Sequence, residues 1–196
     1  MAGHRNWVAG QAAYMRGDYE TALRELRPLA EDGHPEAQHH LGMMYGYGHG
    51  VQPDKAEAVK WLRLGASAGC LPAQRSLGFM YRAGICVPED DAEMTKWNGL
   101  AAAGGDKEAL KWLLFAAEKG EPYAQYVLGE IYTGRKGVPP NYVIAHMWFD
   151  LAVSRFSDSE NELKELAIAS RIHIAARMTT DQVAEARRLV RIWRPK

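Results

Sequence analysis

The sequence predicts an all-α protein, a right-handed solenoid of about eleven helices arranged as antiparallel hairpins. Three observations support this prediction: a motif recurs along the chain, apolar residues follow helical spacing, and glycine-rich turns separate the helices. The 196 residues are 47% hydrophobic and 24% charged, which suffices for one domain with a substantial core. We therefore expect a single repeat domain over residues 1–196, without an apolar run long enough to cross a bilayer.

The N-terminal segment 1–33 predicts the first hairpin. Gly10, Ala22 and Leu26 are the small and apolar positions of two helices, and the sequence Gly17-Asp18-Tyr19 marks the turn between them. This arrangement resembles a tetratricopeptide unit.

An eleven-position motif then recurs, first after 36 residues and again after a further 51 residues. Its Ala, Leu and Tyr stand at i, i+4 and i+8, on one face of a first helix. Loop glycines end that helix because glycine accepts a positive φ, and Asp54 caps a second helix. The first copy consists of Ala37, Leu41, Gly42, Tyr45, Gly48, Gly50, Val51, Asp54, Ala58, Trp61 and Ala66.

This pattern, AxxxLGxxYxxGxGVxxDxxxAxxW, resembles the SEL-one-like repeat family, a relative of the tetratricopeptide repeats, over residues 34–155. The resemblance implies a helical superhelix whose first helices line a concave groove. It implies a non-catalytic protein–protein interaction scaffold or adaptor that holds a protein or peptide in that groove. The settings it implies are bacterial signalling, envelope or host-interaction assemblies.

The chain departs from the pattern at three places. Residues 105–120 predict a single helix where a full repeat has two, and its apolar residues fit either hairpin position. Cys86 stands where the first copy has Gly50, and Asn141 stands where the other copies have the capping Asp.

Residues 156–196 predict C-terminal capping helices. Leu163, Leu166, Ala167 and Ile174 form one apolar stripe of a helix over 159–177. Thr179, with a Gln three residues later, predicts a capping box for a last helix at about 181–193. Residues 171–196 carry seven basic and two acidic side chains, which we interpret as a solvated face and not as an acidic-partner or membrane-surface site.

Candidate partner-binding residues follow from the positions expected on the inner side of each first helix. They are rich in aromatic, Met and Arg side chains, the types that dominate binding hot spots. The Tyr and Trp residues of the motif itself are expected in the core. The candidates are His4, Trp7, Gln11, Tyr14, Glu36, His39, Met43, Tyr47, Arg75, Phe79, Arg82, Tyr123, Tyr126 and Glu130.

The sequence offers no motif for catalysis or for a cofactor. GxSxG, SxxK, KTG, HExxH and CxxC are all absent, and we expect neither catalytic residues, metal ligands nor a cofactor. The seven histidines are interpreted as surface imidazoles, and a disulfide between Cys70 and Cys86 is not expected. Equal numbers of basic and acidic residues, 24 each, argue against a nucleic-acid partner.

Two alternative functions remain open at this stage, a cell-wall (peptidoglycan or carbohydrate) binding protein and, less favoured, a β-lactamase-like or other hydrolase. Two locations also remain open. A removed export leader would make the protein periplasmic or secreted, and otherwise it would be cytoplasmic. The sequence does not indicate an oligomeric state.

Overall fold

The computed structural model describes residues 2–134 and 139–195, with side chains from Trp7 onward. Over these residues the chain forms eleven α-helices, one short 3-10 helix (Asp158–Glu160) and no β-strand, as the sequence predicts. No helix in this part of the chain has the length and apolar character needed to span a membrane. The helices are α1 (Ala2–Met15), α2 (Tyr19–Glu31), α3 (Pro35–Tyr47), α4 (Lys55–Ser67), α5 (Leu71–Ala83), α6 (Asp91–Ala103), α7 (Lys107–Glu118), α8 (Pro122–Tyr132), α9 (Tyr142–Val153), α10 (Asn161–Ala175) and α11 (Thr180–Ile192).

The chain divides into two compact units, Met1–Trp97 and Asn98–Lys196. In the first unit, α1 packs on α2, α2 on α3, α3 on α4, and α4 on α5. In the second unit, α7 packs on α8, α8 on α9, and α9 on both α10 and α11. Most of these helices thus pack on their neighbour in the chain, whereas α11 packs on α9, and this is the hairpin succession expected of a helical repeat. The single continuous domain stays a prediction.

In three hairpins, α1–α2, α3–α4 and α8–α9, a glycine of the first helix lies beneath a large apolar side chain of the second. A methyl group placed on Gly42 would lie 2.7 Å from Leu62 Cγ, and one placed on Gly129 would lie 2.5 Å from Phe149 Cε1. Contacts this short do not occur between real carbon atoms, so only glycine permits the two helices to approach so closely.

The capping residues predicted from the sequence are confirmed. The Asp54 carboxylate accepts from the backbone N–H groups of Ala56 and Glu57, and Asn141 Oδ1 accepts from that of Ile144. The capping box of Thr179 with Gln182 is also present. Each cap satisfies N–H groups that the first turn of a helix cannot pair internally.

Buried glutamines join one hairpin to the next. The side-chain amide of Gln38 donates to the carbonyl of Ala30 (3.0 Å), and that of Gln74 donates to Ala66 (2.9 Å). Gln125 donates in the same way to Ala117, at 3.0 Å. Ala30 and Ala66 lie at the ends of α2 and α4, which are the second helices of their hairpins. Because Gln125 bonds to Ala117 in the same way, α7 occupies the second-helix position before α8. The sequence alone left the position of this helix open.

The motif aromatics pack into the core to different depths. Tyr81, Trp97 and Trp148 are only 5–6% exposed, as predicted. Tyr45 and Trp61 are half-buried and pack against the apolar cluster of the first unit.

The C-terminal helices deviate from the prediction at one position. Ala167 and Ile174 of α10 are buried, as expected, but Leu166 is 52% exposed. α10 packs chiefly on α9, and this contact covers a narrower stripe than the apolar pattern indicates.

Cys86 has a backbone conformation that only glycine adopts freely. Its φ is +64°, and Gly50, at the equivalent place in the preceding repeat, has a φ of +72°. A side chain in this left-handed region costs about 1–2 kcal/mol, and the greater freedom of glycine in the unfolded chain offsets part of that cost.

We therefore expect Cys86→Gly to raise the free energy of unfolding by about 0.5–1 kcal/mol, measured by urea denaturation. Gly50→Ala serves as the matched opposite change. It should destabilise the protein, because its φ is positive and the added methyl would lie 2.8 Å from Tyr19 Cβ. A Cys86→Gly variant less stable than the parent would contradict the strained conformation.

Asn98 is a buried polar residue at a position where the preceding repeat has an apolar one. It stands 36 residues after Leu62 and is 1% exposed. Neither its side-chain nitrogen nor its side-chain oxygen has a hydrogen-bond partner in the described part of the chain. An unsatisfied buried amide costs free energy because it has lost its bonds to water.

Replacing Asn98 with leucine should therefore raise the free energy of unfolding by about 1–3 kcal/mol in thermal or urea denaturation. The mirror change, Leu62→Asn, should lower it, because it buries a new amide against Gly42. A destabilising Asn98→Leu would show that the amide is satisfied in the native protein.

Candidate functional site

Eleven of the predicted partner-binding residues lie in the first unit, on α1, α3 and α5. The first helices α3 and α5 pack against each other, and His39 Nε2 lies 3.3 Å from Ser76 Oγ across this contact. We define the first-helix face by the predicted residues whose spacing places them on this side of α3 and α5. These residues are His39, Met43, Tyr47, Arg75, Phe79 and Arg82.

Exposed side chains lie on this face above a buried row. Tyr47 is 63% exposed and Phe79 is 46% exposed, whereas Leu41 and Leu77 on the same two helices are at most 1% exposed. Met43 precedes Phe79 by 36 residues, so the two occupy equivalent positions on successive first helices. The face therefore presents thioether and aromatic surface to solvent.

Trp7 and Tyr14 of α1 contact α3 through histidine rings. The indole of Trp7 stacks on His34, with ring centroids 5.0 Å apart, and meets His40 edge-on at 5.3 Å. Tyr14 also meets His40 edge-on, at 5.0 Å. Both predicted residues are half-buried, so they hold α1 against α3 and expose only part of their rings.

A second set of stacked rings supports Tyr47. The imidazole of His49 lies 4.2 Å from the ring of Tyr19, nearly parallel to it, and 5.4 Å from the ring of Tyr47. The hydroxyl of Tyr14 lies 3.4 Å from Nδ1 of His49. These contacts hold the base of Tyr47 while most of its ring remains in solvent.

The expectation that the histidines are surface imidazoles is wrong for this region. His34, His39, His40 and His49 are all half-buried and take part in ring contacts. Their spacing in the sequence resembles that of no metal site, and their shared location arises from the packing of α3 on α1. Among the described residues, no group of three or more His, Cys, Asp or Glu side chains could hold a metal ion.

Burial changes the protonation of several groups here. Burial, with smaller contributions from nearby His40 and Arg75, lowers the pKa of His39 to about 4. Burial also lowers the pKa of His40, although the hydrogen bond from its Nδ1 to the carbonyl of Glu36 opposes this shift. The pKa of Tyr14 is raised by burial and by neighbouring tyrosines.

The remaining predicted residues of the first unit are less central. Gln11 is half-buried on α1, and Glu36 is exposed with a carboxylate oxygen 3.3 Å from Nδ1 of His34. Arg75 and Arg82 are exposed on α5. The side chain of His4 lies outside the described side chains.

Tyr123, Tyr126 and Glu130 belong to the second unit, on α8. Both tyrosines are half-buried against the apolar cluster of that unit, and Tyr126 lies 5.9 Å from the ring of Phe149. Glu130 Oε1 accepts a hydrogen bond of 2.8 Å from Ser170 of α10. The helix α10 therefore occupies part of the surface that the repeat pattern assigned to a partner.

A family model of the Sel1 repeat matches residues 35–70, 71–106, 96–121 and 122–155, which together are more than half of the chain. The chain belongs to the Sel1 repeat family. Sel1 repeats are typically protein–protein interaction modules, and proteins built from them are generally non-catalytic scaffolds. The third match overlaps the second, in agreement with a single added helix, α7, between two full repeats.

Two solved structures are similar to this chain. A Sel1 repeat protein from Oxalobacter formigenes is 31% identical and has a TM-score of 0.42, with 73% of this chain and 96% of that chain covered. The protective antigen c5321 of uropathogenic Escherichia coli, which displays an SLR fold, is 25% identical, with a TM-score of 0.48. That match covers 95% of this chain, which spans 48% of c5321. A search of curated proteins found no significant match.

The lowered pKa values of His39 and His40 predict a pH dependence of stability. A histidine whose pKa is lower in the folded state than in the unfolded state makes stability depend on pH. The free energy of unfolding is highest above pH 6.5, where this side chain is neutral in both states, and it falls as the pH is lowered towards the folded pKa. For His39 alone, the free energy of unfolding should fall by about 2 kcal/mol between pH 7.5 and pH 5. Urea denaturation at the two pH values measures this change.

His39→Gln should flatten this pH dependence, because glutamine does not titrate. Equal slopes for the parent and His39→Gln would contradict a neutral buried His39.

Proposed function

We propose that this protein is a non-catalytic scaffold or adaptor that binds a protein or peptide partner on the first-helix face. The observation that supports this most directly is the exposure of Tyr47 and Phe79 beside Met43. Single exposed apolar residues are common on folded proteins, but several large ones grouped on one face are typical of a contact with another molecule. We further propose that the partner assembly is of the bacterial signalling, envelope or host-interaction type.

The residue types favour recognition of protein over solvation. Tyr, Phe and Met offer much contact area, and Tyr also offers a hydroxyl for hydrogen bonding. The lone charged candidate on α3, Glu36, lies at the start of the helix, away from Tyr47 at its end. An apolar centre with polar residues at its edge is the usual composition of a binding patch.

The ring contacts beneath Tyr47 reduce the entropic cost of binding. His49 is stacked between Tyr19 and Tyr47, so the Tyr47 side chain is restricted before a partner arrives. A side chain that is ordered in the free protein loses less freedom on binding, and more of its contact energy then contributes to affinity. Trp7 and Tyr14 also reduce this entropic cost, because they hold α1 against α3 in the free protein.

The candidates on α8 are proposed as a secondary contact. Tyr123 and Tyr126 are half-buried, and the Glu130 carboxylate already accepts from Ser170, so each has less surface to offer than Tyr47. A partner that reaches α8 would contact the edges of these rings. We therefore assign the main contribution to α3 and α5.

Replacing both Tyr47 and Phe79 with alanine should abolish capture of the partner from a native extract, or weaken it at least tenfold, because both rings are exposed hot-spot types. Quantitative mass spectrometry of proteins retained by immobilised parent and variant measures this loss. The melting temperature should stay within a few degrees of the parent's, since neither ring is in the core.

Leu64→Ala is the matched control, because Leu64 is an apolar residue of α4 with a similar exposure of 45%. It should retain every protein that the parent retains. If Leu64→Ala loses the same proteins as the double variant, the binding surface lies elsewhere or the capture is non-specific. Identical capture by parent and double variant would likewise contradict the proposed face.

A further inference from the structure

The second unit contains a cleft between the end of α8, the start of α9 and one side of α10. Its volume is about 630 Å³, within the range of clefts that hold small ligands in proteins. The cleft is distinct from the first-helix face, and the inference drawn from it does not rest on the proposed function.

One side of α10 forms the longest wall of the cleft. Ser170, His173 and Ile174 line it from one face of the helix, and Arg177, in the turn that follows the end of α10 at Ala175, lines it as well. Ile174 is only 2% exposed, so its side chain gives the cleft an apolar base, while the polar side chains rise along the wall.

Among the described residues, the opposite side of the cleft is lined by Thr133 and Gly134, just after α8, and by Tyr142, the first residue of α9. Thr133 and Tyr142 contribute a hydroxyl and a phenol ring to the lining. Thr133 Oγ1 donates to the carbonyl of Glu130 at 2.7 Å, which leaves its oxygen lone pairs available to accept. This wall therefore combines hydrogen-bonding capacity with an aromatic surface.

The ionisable side chains of the cleft differ in whether they have hydrogen-bond partners within the chain. The Glu130 carboxylate, at the inner end, accepts a hydrogen bond of 2.8 Å from Ser170. His173 and Arg177, one turn apart, form no described hydrogen bond or ion pair with the rest of the chain. The guanidinium of Arg177 is always charged and presents donors in a fork that matches a carboxylate or a phosphate.

We propose that this cleft binds a small organic anion, a carboxylate or a phosphate monoester attached to an apolar body. The anionic group is held by Arg177 and His173, and the apolar body lies against the ring of Tyr142. A free inorganic ion would leave most of the cleft volume unfilled, so an organic body is part of the proposal. Carboxylate and phosphate share the recognition chemistry, and the experiment distinguishes them.

The test is a titration of the full chain, followed by amide chemical shifts in ¹H–¹⁵N NMR spectra. The probes are N-acetyl-L-phenylalanine, which carries a carboxylate, phenyl phosphate, and the neutral N-acetyl-L-phenylalaninamide. We expect saturable shifts at millimolar concentration for at least one of the two anions, centred on the amides of residues 170–177, and no saturable shift for the neutral amide. The anion with the lower Kd identifies the preferred headgroup.

Arg177→Gln should raise the Kd of the preferred anion at least tenfold, because a hydrogen-bonded charge pair is lost. Arg187→Gln, at an exposed arginine of α11 outside the cleft, is the matched control and should leave the Kd unchanged. His173→Gln provides a second variant on the same wall and should also weaken binding.

Three results would overturn the inference. They are the absence of saturable shifts with both anions, equal binding of the neutral amide, and an unchanged Kd in both cleft variants when circular dichroism shows that they are folded. Shifts confined to the amides of α11 would also overturn it, because they would place the anion on the basic terminal helix.

Discussion

The close approach of paired helices is the physical constraint on which the rest of the structure depends. In the α3–α4 and α8–α9 hairpins, a glycine of the first helix lies directly beneath a large apolar residue of its partner, Leu62 above Gly42 and Phe149 above Gly129. No larger residue fits at the glycine position without moving a helix. This contact fixes the side of each first helix that faces inward, and it thereby determines which side remains for other molecules.

The division between framework and recognition follows from that constraint. With Leu41 and Leu77 directed inward, Met43 and Phe79, two residues further along each helix, are directed roughly 160° away. The framework positions recur with little variation between repeats, because each must satisfy the same helix contact. The outward positions carry no such restriction, and here they differ from one repeat to the next.

Periodicity and capping patterns predicted most of the local structure of the chain, with the short 3-10 helix Asp158–Glu160 as an exception. The helix hairpins, the caps at Asp54 and Asn141, and the unusual residue Cys86 in a glycine position all depend on contacts within a few residues, and sequence spacing encodes such contacts directly. The buried Gln38 also recurs with the motif, as Gln74 and Gln125, and its spacing could have revealed its role in joining hairpins.

Contacts between distant helices were not predictable in this way. The histidine rings that hold Trp7 and Tyr14 come from α3 and the loop after it, and no spacing rule relates them to α1. The bond from Ser170 to Glu130 joins residues 40 positions apart, so the covering of α8 by α10 was missed. The exposure of Leu166 has the same origin, because the width of a buried stripe depends on the surface it meets.

The central claim is that recognition occurs on the first-helix face and is separable from the helix framework. Site-specific photo-crosslinking in cells tests it most directly, with a photoreactive phenylalanine analogue placed at Tyr47 in one variant and at Leu64 in another. Both positions are exposed and apolar, so neither replacement should unfold the protein. A discrete covalent adduct with a second protein from position 47, and none from position 64, is the predicted result. Adducts from position 64 alone, or the same adducts from both, would contradict the claim.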